Sequence, residues 1–428
     1  MSTLKLAVIG GGSTYTPELI DGFARLRDTL PIGEVVLVDP AADRLDLIAG
    51  LARRIFAKQG HSARVSTATS VADGVDGADA VLLQLRVGGQ ATRNEDETWP
   101  LECGCVGQET TGAGGLAKAL RTVPVVLDIA EHVRRANPDA WIIDFTNPVG
   151  IVTRALLAAG HKAVGLCNVA IGFQRKFAQH LGVDPSLIRL DQVGLNHLSW
   201  VRGVTVLDRP GAETGFEALP KLLADFGVEI AADVRLPLSL IQHLGVVPSY
   251  YLRYFYQHDV VVEELTTSGS RAAEVAAIEQ QLLRMYADPA LDTKPELLGK
   301  RGGAFYSEAA VQLLAALLGT AGGSVQVVDT RNDGILPFLP DDAVIEVPAV
   351  VDQQGVRPLP QRPVEPRYAG LIAHVTAYEQ LALRAAVAGG RDRVFDALLA
   401  HPLVGQLELA EQLTDRLIAH NRAYLSWG

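Results

Sequence analysis

Three observations predict an α/β protein, with an N-terminal Rossmann-like doubly wound parallel sheet followed by an α+β domain. A short apolar run, Leu4–Gly10, ends in Gly10-Gly11-Gly12 and opens into a helix-forming segment. A second apolar run, Glu34–Asp39, ends in an acid. Strand and helix patterns then alternate to about residue 190, as expected of a mostly parallel sheet with helices on both faces. We place the two domains at residues 1–190 and 191–428.

Each element has its own signal. Thr16 is the expected N-cap of the first helix, with Pro17 at its first position. Arg44–Gln59 has helical spacing of apolar residues. Ala63–Thr67 and Ala78–Leu85 read as strands, Val123–Arg135 as a helix, and Trp141–Asn147 as a strand. Ile151–Ala159 reads as a helix and Ala163–Cys167 as a strand. The second half is less regular. Asp191–Val206 reads as strands, and Leu236–Tyr256, Arg271–Ala287 and Ala304–Leu318 as helices. Val325–Val328 and Ala343–Val347 read as strands, 352–367 as a Pro- and Gln-rich surface loop, and Ala369–Leu425 as helical.

The composition narrows the function. With 48% hydrophobic and 20% charged residues, the 428-residue chain can bury a large core and has the balance of a soluble enzyme. A net charge of -11 disfavours nucleic acid or an anionic membrane as partner. An anionic substrate would then need a local basic pocket. Three cysteines, Cys103, Cys105 and Cys167, make an odd number in a long chain, so a disulfide framework is not expected and a cytoplasmic setting is. No stretch has the length of a membrane span.

Gly10-Gly11-Gly12-Ser13 sits between a strand and a helix, where a pyrophosphate would rest on the helix N-terminus. Gly10 allows the tight turn and Gly12 the close backbone approach. The third glycine of the usual fingerprint is replaced by Tyr15. Asp39 stands where an acid bonds the adenosine ribose diol, which favours NAD+ over its 2′-phosphorylated form. Cys167 and His197, each at the end of an apolar run, are candidate metal ligands. A buried small hydrophobe and a hydrogen-bonded interior histidine are the plain alternatives. Mixed sulfur, nitrogen and oxygen ligation suits divalent Mn, Fe, Co, Ni or Zn.

A run of longer motifs resembles the family-4 glycoside hydrolases. It begins with Gly10-Gly11-Gly12-Ser13-Thr14-Tyr15-Thr16-Pro17-Glu18. It continues through Arg86-Val87-Gly88-Gly89, Arg93-Asn94-Glu95 and Gly107-Gln108-Glu109-Thr110-Thr111-Gly112. Phe145-Thr146-Asn147-Pro148, Gly165-Leu166-Cys167-Asn168 and Gly194-Leu195-Asn196-His197-Leu198-Ser199 follow. Tyr251-Leu252-Arg253-Tyr254, Arg301-Gly302-Gly303, Thr330-Arg331-Asn332 and Leu339-Pro340-Asp341-Asp342 complete a collinear series over most of the chain.

The resemblance implies a lactate/malate dehydrogenase-like fold and an uncommon glycosidase chemistry, an exception to two-carboxylate hydrolysis. Bound NAD+ takes hydride from carbon 3 of the sugar, which acidifies the proton on carbon 2. A base removes that proton, and a divalent metal, Mn2+ or another, stabilises the enediolate. The aglycone leaves by elimination, water adds, and the hydride returns. Residue by residue, the resemblance implies Gly10, Gly12, Ser13, Thr14 and Asp39 at the cofactor, Cys167 and His197 on the metal, and Tyr251 as the base. Arg86, Arg93, Asn94, Asn147, Asn168 and Arg301 would contact the substrate. Asn168 is the residue found in the 6-phospho-β-glucosidase branch, where α-acting branches carry Asp or His. Cellobiose 6-phosphate is thus a representative substrate and a homodimer or homotetramer the expected assembly. A 2-hydroxyacid-type dehydrogenase would need an Asp–His relay where this chain has Cys167-Asn168. A non-catalytic NAD+ sensor would have no use for the Cys, His and Tyr.

Overall fold

The computed structural model describes residues 3–303 and 305–428. Six parallel strands form its centre: β1 (Leu4–Ile9), β2 (Ile32–Val38), β3 (Arg64–Ala68), β4 (Ala80–Leu83), β5 (Trp141–Asp144) and β6 (Ala163–Gly165). Their order is β3-β2-β1-β4-β5-β6, so the chain reverses direction across the sheet between β1 and β4. Ligands of open α/β sheets bind at the carboxyl ends of strands beside such a reversal. Apart from the edge strand β3, these strands are largely buried on both faces, which is why their sequences read as continuous apolar runs rather than alternating ones.

The second half contributes to two sheets. Strands β7 (Ile188–Leu195), β8 (Leu198–Leu207), β9 (Gly215–Glu217) and β10 (Val247–Pro248) make a separate antiparallel sheet. Then β11 (Ser324–Arg331), β12 (Val344–Asp352) and β13 (Gly355–Pro358) return to the first sheet. There β11 pairs antiparallel with β6 through Asp329 and Gly165, and the sheet grows to nine strands.

The structure corrects several expectations. Thr16 is the first helical residue rather than the cap; Tyr15 is the N-cap, and the Thr16 hydroxyl donates to the Gly11 carbonyl at 2.9 Å. The helix expected from Val123 starts at Gly112 and runs to Ala136. Pro124 is tolerated inside it because it lies on the exposed face, where water can replace the lost hydrogen bond. The stretch Leu236–Tyr256 is not one helix. Gly245 stops the Leu238–Leu244 helix in the left-handed conformation, β10 follows, and Tyr250–Leu252 form a 3-10 turn. Part of the 352–367 loop is β13, a hairpin partner of β12. The expected start of a helix at Ala304 lies outside the described residues; the observed helix is Tyr306–Leu317. Helices at Gly89–Thr98, Asn168–Leu181, Leu219–Val234 and His258–Thr267 went unrecognised. The first buries Asp96 and Glu97 rather than an apolar stripe, so no hydrophobic period marks it.

Among the described residues no helix is long and apolar enough to cross a membrane. The Gly89–Thr98 and Gly112–Ala136 helices are joined by a buried ion pair. Arg121 meets Asp96 in a two-point contact, with Nη1–Oδ1 at 3.0 Å and Nη2–Oδ2 at 2.5 Å, and both side chains are at most 2% exposed. Asp96→Ala would strand the guanidinium. We expect it to lower the unfolding free energy by about 3–5 kcal/mol, read as a lower denaturant midpoint. An unchanged midpoint would contradict this role for the pair.

Candidate active site

The glycine turn closes β1 at the reversal of the sheet. Gly10 has φ +82°, and a Cβ there would lie 2.9 Å from the Gln84 carbonyl oxygen. At Gly12 a Cβ would come within 2.8 Å of the Asp39 carboxylate. The Gly12 N–H donates to Asp39 Oδ2 at 3.2 Å, so the acid at the end of β2 and the turn form one unit. Ser13 braces the turn by donating its N–H to the Gly10 carbonyl at 2.9 Å. Thr14 is fully buried and its hydroxyl donates to Glu279 at 3.2 Å, so its side chain points away from the open turn. Tyr15, at the third fingerprint position, donates its hydroxyl to the Gly303 carbonyl.

This turn opens into a cleft of about 1280 Å³. Of the residues singled out from the sequence, Gly10, Gly12, Ser13, Asp39, Arg86, Arg93, Asn147, Asn168, His197, Tyr251 and Arg301 line it. Cys167 lies behind the wall, at the N-cap position of the Asn168–Leu181 helix. Asn94 is turned aside, its carbonyl accepting the Ser270 hydroxyl at 2.5 Å.

His197 sits in the tight link between β7 and β8, with the left-handed φ of +63°. Its Nδ1 lies 3.1 Å from the Thr110 hydroxyl, and its backbone carbonyl accepts from Ser249 at 3.2 Å. Burial pushes its pKa down to about 3, so the ring is neutral at physiological pH. Tyr251 lies flat over it, with ring centroids 3.5 Å apart and planes 6° from parallel. Burial raises the Tyr251 phenol, and Cys167 and Glu109 raise it further, so without a cation beside it the phenol stays protonated. The Cys167 thiol is likewise raised, by burial first and then by Glu346 and Asp329. A thiolate there therefore needs a cation. One buried sulfur and one neutral imidazole are donors suited to a borderline divalent metal. Asn147 Oδ1 is a buried acceptor in the cleft wall with no partner among the described residues, an opening for a sugar hydroxyl. Among the described residues no three His, Cys, Asp or Glu side chains form a closed metal cluster. A metal on Cys167 and His197 would keep positions open for substrate oxygens.

A feature the sequence reading missed is a buried basic cluster. Glu109 receives Arg86, Lys118 and Arg93, the last with Nε–Oε1 at 3.1 Å. Burial alone would raise the Glu109 carboxyl, but these three cations hold it well below the usual carboxylate range. Burial and Arg86 pull the Lys118 ammonium down to about 7. Arg93 is shared with Glu97, to which its Nε–H donates at 2.7 Å, so three basic side chains face two carboxylates and leave a basic wall in an otherwise acidic protein, suited to an anionic substrate. Arg301 is less available, because it bonds Glu279 through Nε at 3.1 Å and Nη2 at 2.8 Å. Only the Gly107–Gly112 motif hinted at Glu109, and nothing local marks Lys118, which comes from the Gly112–Ala136 helix.

The Family 4 glycosyl hydrolase pattern matches residues 5–183, and the Family 4 glycosyl hydrolase C-terminal domain matches residues 192–404. A probable 6-phospho-beta-glucosidase of Bacillus subtilis is 36% identical over 99% of this chain and 97% of its own. The 6-phospho-beta glucosidase of Thermotoga maritima, solved with manganese, NAD+ and glucose-6-phosphate, superposes with a TM-score of 0.92 at 33% identity, over 99% of this chain and all of its own. Lactate dehydrogenase of Cryptosporidium parvum covers 90% of this chain and 98% of its own with a TM-score of 0.54 at 16% identity, a likeness of fold alone. The matched patterns together span nearly the whole length, and with them the chain belongs to glycosyl hydrolase family 4.

Proposed function

We propose that this protein hydrolyses 6-phospho-β-glucosides, cellobiose 6-phosphate among them, with NAD+ and Mn2+ or another divalent metal as cofactors. One observation carries the reading: the glycine turn, the His197–Tyr251 stack and the basic wall open into a single cleft. The Bacillus and Thermotoga relatives support the same substrate class, and the Thermotoga structure the same cofactors. When bound, the two cofactors supply a hydride acceptor for the sugar and an electrophilic anchor for its oxygens.

The chain's own residues divide the remaining work. Gly10, Gly12 and Ser13 cradle the dinucleotide and Asp39 takes its ribose. Cys167 and His197 would hold the metal. Arg86 and Arg93 offer the phosphate the guanidinium donors that Glu109 and Glu97 do not occupy. Asn147 Oδ1 accepts a sugar hydroxyl. Tyr251 receives the carbon 2 proton as the phenolate, which a metal beside it would favour by lowering the raised phenol. Asn168 has no acidic proton to give the leaving group, which suits the β-branch. Asn94 and Thr14 act through neighbours, since one bonds Ser270 and the other Glu279. The protein is expected to work in the cytoplasm as a homodimer or homotetramer, without nucleic acid or membrane partners.

A dehydrogenase would accumulate NADH, whereas this cycle returns its hydride. A chromogenic 6-phospho-β-glucoside should turn over only with both NAD+ and Mn2+, with no net NADH; activity that survives chelation and cofactor removal would refute the reading. Tyr251→Phe should lower kcat by at least about 100-fold while NAD+ affinity holds, as expected for loss of a general base. A kcat close to wild type would assign the base elsewhere. The Cys167 thiol, raised by burial, must lose its proton to bind metal. Between pH 6 and 8, Mn2+ affinity should therefore rise with pH, by up to about tenfold per unit, with about one proton released per ion. Isothermal titration in buffers of different ionisation enthalpy reads this directly; a pH-independent affinity would exclude Cys167 as a ligand.

A further inference from the structure

The hydrogen bonds around His197 fix where its ring proton sits. The side-chain carbonyl of Gln108 is met by the N–H of Thr110, the N–H of Thr111 at 3.2 Å and the hydroxyl of Thr110 at 2.7 Å. Backbone N–H groups only donate, so the atom they share must be the amide oxygen of Gln108 and not its nitrogen. An amide oxygen only accepts, so the Thr110 hydroxyl spends its single proton on Gln108. The same hydroxyl oxygen lies 3.1 Å from His197 Nδ1. With its proton committed, it can only accept there, and Nδ1 must carry the ring hydrogen. The neutral ring has one such proton, so Nε2 keeps a bare lone pair.

We propose that Gln108 and Thr110 are positioning residues that impose the Nδ1–H tautomer on His197 and so present Nε2 as the metal-binding atom. The inference rests on the reading of His197 as a ligand. The loop that carries the device is itself anchored, because the Gly112 N–H donates to His401 Nε2 at 3.0 Å. Tyr251 stacked flat on the imidazole opposes the turn of the ring that would exchange its nitrogens, while the Ser249 bond holds the backbone of His197 in place. An imidazole free to choose would spend part of its time with a proton on Nε2. Pinning Nδ1 removes that competition and raises the basicity of the ligating nitrogen.

The test begins with metal-free wild-type protein carrying 15N-histidine. His197 is assigned among the ten histidines by the signal lost in His197→Gln. Long-range 1H–15N spectra should show a protonated, pyrrole-type Nδ1 and a bare, pyridine-type Nε2. A protonated Nε2 would overturn the proposal, and this needs no variant of the device. Adding Mn2+ alone then tests the reading beneath it: broadening of His197 supports ligation, while a pinned tautomer with no broadening refutes ligation and leaves the tautomer intact. Thr110→Val should raise the Kd for Mn2+, measured by electron paramagnetic resonance of the free ion, about 10–100-fold. Thr110→Ser, which keeps the hydroxyl, should restore it, and NAD+ affinity should hold throughout. Wild-type Mn2+ affinity in Thr110→Val, or no rescue by serine, would contradict the proposal.

Discussion

The pairing of β6 with β11 is the constraint on which the site depends. Gly165 faces Asp329 across that antiparallel bridge, and a Cβ on Gly165 would lie 2.3 Å from the Thr153 hydroxyl and 2.9 Å from the Asp329 Cβ. No larger residue fits there without moving a strand or a helix. The bridge ties the parallel sheet of the first half to strands of the second, and it does so two residues before Cys167. Behind Cys167 it gathers Asn196, Asp329 and Glu346, with the Asn196 amide 3.4 Å from each carboxylate. His197 is the next residue in the chain. One short bridge therefore sets Cys167 behind the cleft wall that His197 lines, although the two are 30 residues apart in sequence.

The second constraint is electrostatic. Burial works against every charged form in this region, yet the cleft is built of ionisable groups. Glu109 stays ionised because three cations surround it. Asp329 and Glu346 have no such partners among the described residues and are pushed up, Glu346 to about 7, by burial in the first place. Cys167 and Tyr251 are held protonated by burial and by the negative groups near them. A divalent cation bound there would be coupled to ionisation of the Cys167 thiol and would lower the Tyr251 phenol from its raised value. A cofactor for hydride and a metal for the carbanion are both useful only where water is kept from the reacting carbons, which this half-enclosed cleft favours.

The sequence made the sheet legible and left its edges obscure. Apolar runs ending in Gly10, Asp39, Asn147 and Cys167 marked strand ends because buried parallel strands have no polar face to confuse the pattern. The continuation of that sheet through β11–β13 was not visible, since it depends on one bridge between distant segments. The Gly89–Thr98 helix escaped because its inward face is charged. At the site, placement was readable at short range: the glycines do lie where a side chain would clash, and Asp39, His197 and Tyr251 do line one cleft. What could not be read was the pairing of side chains across the fold. Arg301 turns to Glu279, Asn94 to Ser270, and Lys118 arrives from a long helix to meet Glu109. The Tyr251 turn was mistaken for helix because its tyrosines have helical spacing, while Gly245 and Pro248 break the chain just before it.

The central claim is that a glycosidic bond is cleaved here by way of carbon 2 and not by direct displacement at carbon 1. Hydrolysis of a 6-phospho-β-glucoside in D2O, followed by NMR of the glucose 6-phosphate formed, tests it most directly. The account predicts deuterium at carbon 2 of the product, because the proton removed there is replaced from solvent. Product that retains its original hydrogen at carbon 2 in full would contradict it.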